Sequence, residues 1–486
     1  MMDTGTPGAL SAAIAGVGLI GPGMPDWPAA SATLRGEAAY VFSAAIIPVP
    51  LALPPAERRR TGQIVRLALA VGFDAYRADA ARPDAARPDA DLDAPGMDSP
   101  SALDTSDLDA PSGDAPLPTG DDGTRAVLSS VGERVILASL SEFEAAAEAL
   151  VAATDRAATS GTSEDREAAR AAWRTAMRAW QHVEMLQVGP AGLALYALGG
   201  RGLRDEIHPW PLVSYCSIDE DTVAPAHADP ALLGAEPVNT RGLSAIEYVL
   251  FEESGDNRCG PTSTINASGS WAALGGEGVA RRRLVFAHTA SVVVRDRAHE
   301  LRLAWSPDGE DFLDTFRTAG AGSALFTTAR SALNGLSDAL FYLYKDVVDF
   351  KLGIPAGLYV DSTTPTCPDR VESPFSDTSL DHVRANLEAF RDAYLGAAPP
   401  GEGFGFDDLL RSVGADDLDR RIQEALAVAF AAFDAVDGPL EVAVDADHAD
   451  VVALHGAILA VANLFKDEVL VILDLTLPNR VEGDND

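Results

Sequence analysis

The sequence predicts an all-α body from Thr124 onward, preceded by a disordered acidic linker and a small α/β fragment. Three observations carry this prediction. Apolar residues after Thr124 recur near a 3.6-residue period. Helix start and stop signals bound these periodic segments. No sustained polar–apolar alternation of the kind that builds a sheet follows Thr124.

The amino-terminal fragment covers residues 1–78. Ala13 to Ile20 is a short apolar run punctuated by Gly16 and Gly18, consistent with a buried strand and turn. Residues 61–76 place Ile64, Val65, Leu67, Leu69, Val71 and Phe73 on a mostly apolar helix. Gly16, Gly18 and Gly21 formally fit G-x-G-x-x-G, but Pro22-Gly23 follows at once and no βαβ unit comes after, so a dinucleotide site is not indicated. Ala9 to Ile20 has no Lys or Arg before it and Asp3 does precede it, so the chain shows no export signal of the usual basic form. A lipoprotein anchor needs an early cysteine, and the first is Cys216.

The linker spans residues 79–123. Residues 79–122 contain twelve Asp, two Arg and seven Pro, a net charge of −10, and no aromatic, Val or Ile. Such a segment cannot bury enough apolar surface to offset chain entropy. The pentad ARPDA occurs twice in succession, at 81–85 and 86–90, a mark of low complexity.

In the helical body, Val127, Leu128, Val131, Val135, Leu140, Phe143 and Leu150 line one helix. Ser163 opens a second, with Glu164 and Asp165 in the first turn suiting the helix dipole. This helix carries Ala171, Trp173, Met177, Trp180, Val183 and Leu186 and stops at Gly189-Pro190. Further helices are expected at about 278–305, 322–351, 378–395, 416–436 and 447–473, joined by loops rich in Pro, Gly, Asp and Ser.

Bulk properties narrow the function. The 486 residues suggest about three domains. A net charge of −36 opposes the phosphate backbone and excludes nucleic acid as a natural partner, and it disfavours anionic membrane surfaces. No apolar run reaches the ~18 residues of a membrane span. Three cysteines are too few for a disulfide scaffold. H-E-x-x-H and G-x-S-x-G are both absent, which removes the usual zinc-protease helix and the nucleophile elbow. The eight histidines do not cluster along the chain.

Two family resemblances add to this reading. IAGVGLIGPG (14–23) and ERRRTGQIVRLALAVGFDA (57–75) resemble the amino-terminal edge of β-ketoacyl synthases. Those enzymes need a downstream nucleophilic cysteine with His partners, and no cysteine precedes Cys216, so this fragment is expected to be non-catalytic. Four segments resemble the imelysin family (insulin-cleaving membrane protease and relatives in iron uptake): AWRTAMRAWQHVEMLQVGP (172–190), TRGLSAIEYVLF (240–251), VESPFSDTSLDHVRANLEAFRDAYL (371–395) and the tail from Ile472 to the acidic GDND end. The resemblance implies an all-helical domain over 124–486, built as two bundle halves of about 124–308 and 309–486. It also implies a cell-envelope or periplasmic protein, with iron-uptake components of the envelope as partners.

The second segment sits where that family carries G-x-H-x-x-E. His and Glu three apart on a helix share one face and can jointly hold a metal. Here Gly242 and Glu247 are kept, but Ser244 stands at the His position. A serine hydroxyl is a poorer ligand than imidazole for zinc or iron. Two readings of Glu247 remain: a ligand for a divalent cation or iron, with Glu184 as a second carboxylate, or a buried carboxylate that ties helices together, hydrogen-bonded to Ser244 or Arg241. Glu184 itself reads either as that ligand or as a salt-bridged side chain. No catalytic residue is assigned. Cys216 and Cys259 flank the motif helix in turn-rich sequence, and in an oxidising compartment they are candidates for a disulfide. Free thiols are the alternative. The functions that follow are a non-catalytic binding or accessory protein related to iron uptake, a metallopeptidase of the imelysin type, or a helical scaffold without a metal site.

Overall fold

The computed structural model describes residues 117–359 and 364–478. The synthase-like fragment, almost all of the acidic linker and the GDND end lie outside the described residues. Pro116–Thr476 form one compact unit; of the other unit, Met1–Ala115 with Leu477–Asp486, only residues 477 and 478 are described. Among the described residues every regular element is helical. The body is therefore all-α.

Eleven helices carry the architecture: α1 (Gly120–Val131), α2 (Ala138–Ser160), α3 (Ser163–Met185), α4 (Leu203–Ile207), α5 (Tyr215–Val223), α6 (Leu243–Phe251), α7 (Gly275–Trp305), α8 (Ala329–Leu340), α9 (Ser379–Leu395), α10 (Asp416–Ala435) and α11 (His448–Leu464). Shorter helical turns join them. A π-helical segment, Gly132–Leu137, fuses α1 to α2 into one rod. Its apolar face is the predicted one: Val127, Leu128, Val131, Phe143 and Leu150 are fully buried. The rod starts at Gly120, inside the stretch expected to be linker. Asp121 and Asp122 in its first turn favour the positive end of the helix dipole, so the last acidic residues of the spacer are absorbed into helix.

Thr162 caps α3, its side chain accepting from the Asp165 N–H at 3.2 Å. Gly161, with φ +67°, provides the left-handed turn between α2 and α3. Trp173, Met177 and Trp180 of α3 are fully buried, and Trp180 packs on Phe143 of α2 with ring centroids 5.1 Å apart. Ala171 faces solvent. Helix α8 begins at Ala329, later than the periodicity suggests, because Thr328 caps it by accepting from the Ser331 N–H at 3.0 Å. After Tyr342 the chain continues as a second π-helical segment, Leu343–Gly353.

Helix α2 packs between α3 and α7, and α3 packs along α9 across the expected boundary between halves. Helices α10 and α11 close the far side, α11 also lying on the Leu343–Gly353 segment. With the turns that follow it, α11 forms the stretch His448–Ile472, which is long enough to cross a membrane and contains an 18-residue window of mean hydropathy 1.5. Its Val451, Leu454, Ile458 and Val461 are nevertheless fully buried against neighbouring helices.

Candidate functional site

Helix α6 is held by its surroundings at both ends. Gly242, just before it, has φ +83°, and a Cβ there would meet the Ile207 carbonyl oxygen at 2.5 Å. Only glycine lets the chain carrying Ile207 and His208 approach the start of α6 so closely. The Trp173 indole donates to the Leu243 carbonyl at 2.9 Å, and the Arg170 guanidinium donates to that of Leu250 at 2.9 Å. Tyr248 donates to the buried Asp219 carboxylate of α5 at 2.9 Å, and the Arg258 backbone N–H donates to the same group at 2.7 Å. Next to this contact Cys216 and Cys259 form a disulfide, tying α5 to the loop after α6. Cys367 lies outside it, buried.

Glu247 points from α6 into the loop that precedes α9. Its Oε1 accepts from the Phe375 N–H (3.1 Å), the Ser376 N–H (3.0 Å) and the Ser376 hydroxyl (2.8 Å). Burial pushes the Glu247 carboxyl up to about 8; the three hydrogen bonds oppose that rise and the nearby Glu372 carboxylate adds to it. At neutral pH it therefore favours the protonated form. Ser244 is buried with no hydrogen-bond partner for its hydroxyl, so it does not bond Glu247. Arg241 is not Glu247's partner either: it turns to Glu206 (2.9 Å) and to the Gly234 carbonyl (2.6 Å).

A chain of hydrogen bonds runs on from Glu247. The Ser376 and Thr378 hydroxyls lie 2.8 Å apart, Thr378 Oγ1 is 3.1 Å from His382 Nε2, and His382 Nδ1 is 3.1 Å from Glu372 Oε2. Glu372 then meets Lys351 Nζ at 2.9 Å and the Gln181 amide at 3.0 Å. On the far side, Glu184 accepts from Arg204 Nη2 at 2.9 Å and lies 3.1 Å from His208 Nδ1. The chain links five places far apart in sequence: α3, the α4 region, α6, the Leu343–Gly353 segment and the loop leading into α9.

Charge is balanced inside this cluster. Glu184, Glu372 and Lys351 are all at most 2% exposed. Burial opposes the charge of Glu372, but Lys351 and His382 outweigh it and hold the carboxyl at about 2. Burial likewise opposes the charge of Glu184, and His208, Lys351 and Arg204 outweigh it, holding that carboxyl well below the usual range. Two carboxylates thus face Lys351, Arg204 and two imidazoles in low dielectric, and buried charge persists when it is paired in this way. Glu184 is a salt-bridged buried side chain.

Among the described residues, two groups of three His, Cys, Asp or Glu side chains converge closely enough to hold a metal: Glu184/His208/Glu372 and Cys216/Glu220/Cys259. The second has its sulfurs consumed in the disulfide. Glu247 belongs to neither, and Glu184 converges with His208 and Glu372 instead. In the first group, Lys351 Nζ lies 2.9 Å from Glu372 Oε2 and 3.5 Å from Glu184 Oε2, so an ammonium already bridges the two carboxylates on the oxygens away from His208. Beside that fixed positive charge the site does not fit a resident metal.

Lys351, Arg204, His208, Glu372, His382, Gln181 and Asn386 were not singled out by sequence reasoning. The histidines looked scattered along the chain, yet His208 and His382 flank one carboxylate, with His208 Nδ1 3.8 Å from Glu372 Oε1. One signal was available. Lys351 sits in the largely apolar stretch FKLGIP (350–355) in a chain with only three lysines, and a charge in such a stretch needs a buried partner.

The family model for imelysin (Peptidase M75) matches residues 136–467. The chain belongs to the imelysin family. Two solved structures share the imelysin-like helical fold. One is described as an iron-regulated protein A precursor from Parabacteroides distasonis, 20% identical, with a TM-score of 0.56 over 72% of this chain and 96% of that one. The other is an imelysin-like protein from Psychrobacter arcticum, 14% identical, with a TM-score of 0.57 over 74% of this chain and 99% of that one. No curated protein matches. The imelysin match leaves residues 1–135 outside it, so the synthase-like resemblance stays an expectation.

Proposed function

We propose that this imelysin-family chain is a non-catalytic accessory protein of the cell envelope, related to iron uptake. The observation that carries the reading is the pairing of a serine at the motif's histidine position with a carboxylate, Glu247, whose Oε1 is taken up by three donors from the Phe375–Ser376 loop. Metal-dependent peptide hydrolysis needs a metal-activated water. A protonated Glu247 with Oε1 taken up by three donors, next to Ser244, is a poor start for one.

The link to iron rests on family membership and on the iron-regulated relative from Parabacteroides distasonis. The envelope location is supported by that relative being a precursor and by the Cys216–Cys259 disulfide, which suits an oxidising compartment. The scaffold reading keeps the fold but has no metal or small-molecule site and no role in iron uptake.

Two measurements test the proposal. The purified chain, incubated with an unfolded protein substrate and with zinc, iron or chelator, is expected to leave the substrate intact. Deletion of the gene in its host is expected to slow growth on iron-depleted medium, with rescue by added iron. Metal-dependent cleavage that vanishes in Glu247→Ala establishes the peptidase instead; unchanged growth under iron depletion leaves the scaffold.

A further inference from the structure

The three carboxamide and carboxylate groups nearest Lys351 all present oxygen to it. Its Nζ lies 2.6 Å from Gln181 Oε1, 2.9 Å from Asn386 Oδ1 and 2.9 Å from Glu372 Oε2, with Glu184 Oε2 at 3.5 Å. The Asn386 amide in turn donates to Gln181 Oε1 at 3.0 Å and to the Gln181 carbonyl at 2.9 Å, which fixes both amides with their oxygens toward the lysine. Aromatic faces close the remaining sides, with the ammonium 5.3 Å from the Tyr342 ring centroid and 5.8 Å from that of Trp210. An all-oxygen shell of this kind is what a hard or borderline cation prefers.

We infer that Lys351 is the resident cation of this centre: its ammonium stands among Glu184 Oε2, Glu372 Oε2, Gln181 Oε1 and Asn386 Oδ1, the place a divalent ion bridging the two carboxylates would take, and it makes the centre independent of metal. Charge supports the assignment. Glu184 and Glu372 are already paired with Lys351 and Arg204 and with the His208 and His382 imidazoles, so a divalent ion added beside the lysine would leave an unmatched buried double charge, which is costly. Removing the ammonium reverses the argument. Two buried carboxylate oxygens and two amide oxygens then converge on the vacated place, with one permanent cation fewer to balance them. That oxygen set, with His208 Nδ1 beside the second oxygen of each carboxylate, suits manganese or zinc.

The test compares the wild-type chain, Lys351→Met and the double variant Lys351→Met/Glu372→Gln, each stripped with chelator and titrated with zinc chloride. Methionine keeps the length and apolar stem of lysine without its charge. The wild type is expected to show no zinc uptake that depends on Glu372, and a melting temperature unchanged by chelator. Lys351→Met is expected to bind one zinc per chain with a raised melting temperature, and the double variant is expected to lose that uptake. A Lys351→Met chain that folds only in the presence of zinc supports the assignment equally. Three results overturn it: stoichiometric zinc in the wild type that disappears in Glu372→Gln, a folded Lys351→Met that takes up no zinc, or a Lys351→Met that stays unfolded at millimolar zinc.

Discussion

Replacing Glu247 with glutamine isolates one buried proton. Gln Oε1 can accept from the Phe375 N–H, the Ser376 N–H and the Ser376 hydroxyl as the glutamate does, at 3.1, 3.0 and 2.8 Å. Only the titratable charge is removed. The folded carboxyl titrates at about 8 against an ordinary value of 4.5. Between those two values the folded chain holds a proton that the unfolded chain has released. Stability from this group is therefore fully present below about 4.5 and is lost as pH rises through 8. The gap, 8 − 4.5 = 3.5 pH units, corresponds to an upper bound of about 5 kcal/mol at about 1.4 kcal/mol per unit. Relaxation around a buried charge reduces such values, so a loss of roughly 2–5 kcal/mol is expected. The assay is urea unfolding of wild type and Glu247→Gln at pH 5, 7 and 9. The variant's advantage over wild type should grow with pH, by about 1 kcal/mol or more per unit near neutrality. A difference between the two chains that stays constant from pH 5 to 9 would refute the reasoning, because the carboxyl would then titrate alike in both states.

Two further outcomes follow from the geometry. Gly242→Ala forces a side chain into the left-handed region at φ +83° with its Cβ 2.5 Å from the Ile207 carbonyl, and should cost on the order of 2–4 kcal/mol in urea unfolding, more than an exposed glycine such as Gly414. Cys216→Ser, or reduction of the Cys216–Cys259 bridge across a separation of 43 residues, should lower stability by about 2–4 kcal/mol, and a reductant should have no further effect on the variant.

The helices were legible because their causes are local. The 3.6-residue spacing of Val127, Val131, Trp173, Met177 and Trp180 marks buried faces whatever they pack against, and all five are fully buried. Thr162 and Thr328 cap their helices through contacts three residues away, yet a periodicity count does not weigh caps, and the start of α8 was misplaced for that reason. The expected end of the linker failed similarly, because Asp121 and Asp122 suit a helix start as well as a solvated spacer.

The sequence by itself determined the class of the body, the order of its long helices and the family motifs at Gly242, Ser244 and Glu247. It also marked Glu184 as a residue of interest. What Glu184 meets was decided only in three dimensions. Arg204 and His208 at α4 and Lys351 of the Leu343–Gly353 segment all come within hydrogen-bonding or ion-pair reach of it, and Lys351 also reaches Glu372 from the loop before α9. Periodicity specifies which face of a helix is buried, since that depends on residues within a few turns. It does not specify which buried charge opposes which, since that depends on how α3, α9 and the Leu343–Gly353 segment pack together. Low dielectric then makes each pairing matter: the same glutamate is held at about 2 beside Lys351, as Glu372 is, or pushed to about 8 beside uncharged donors, as Glu247 is.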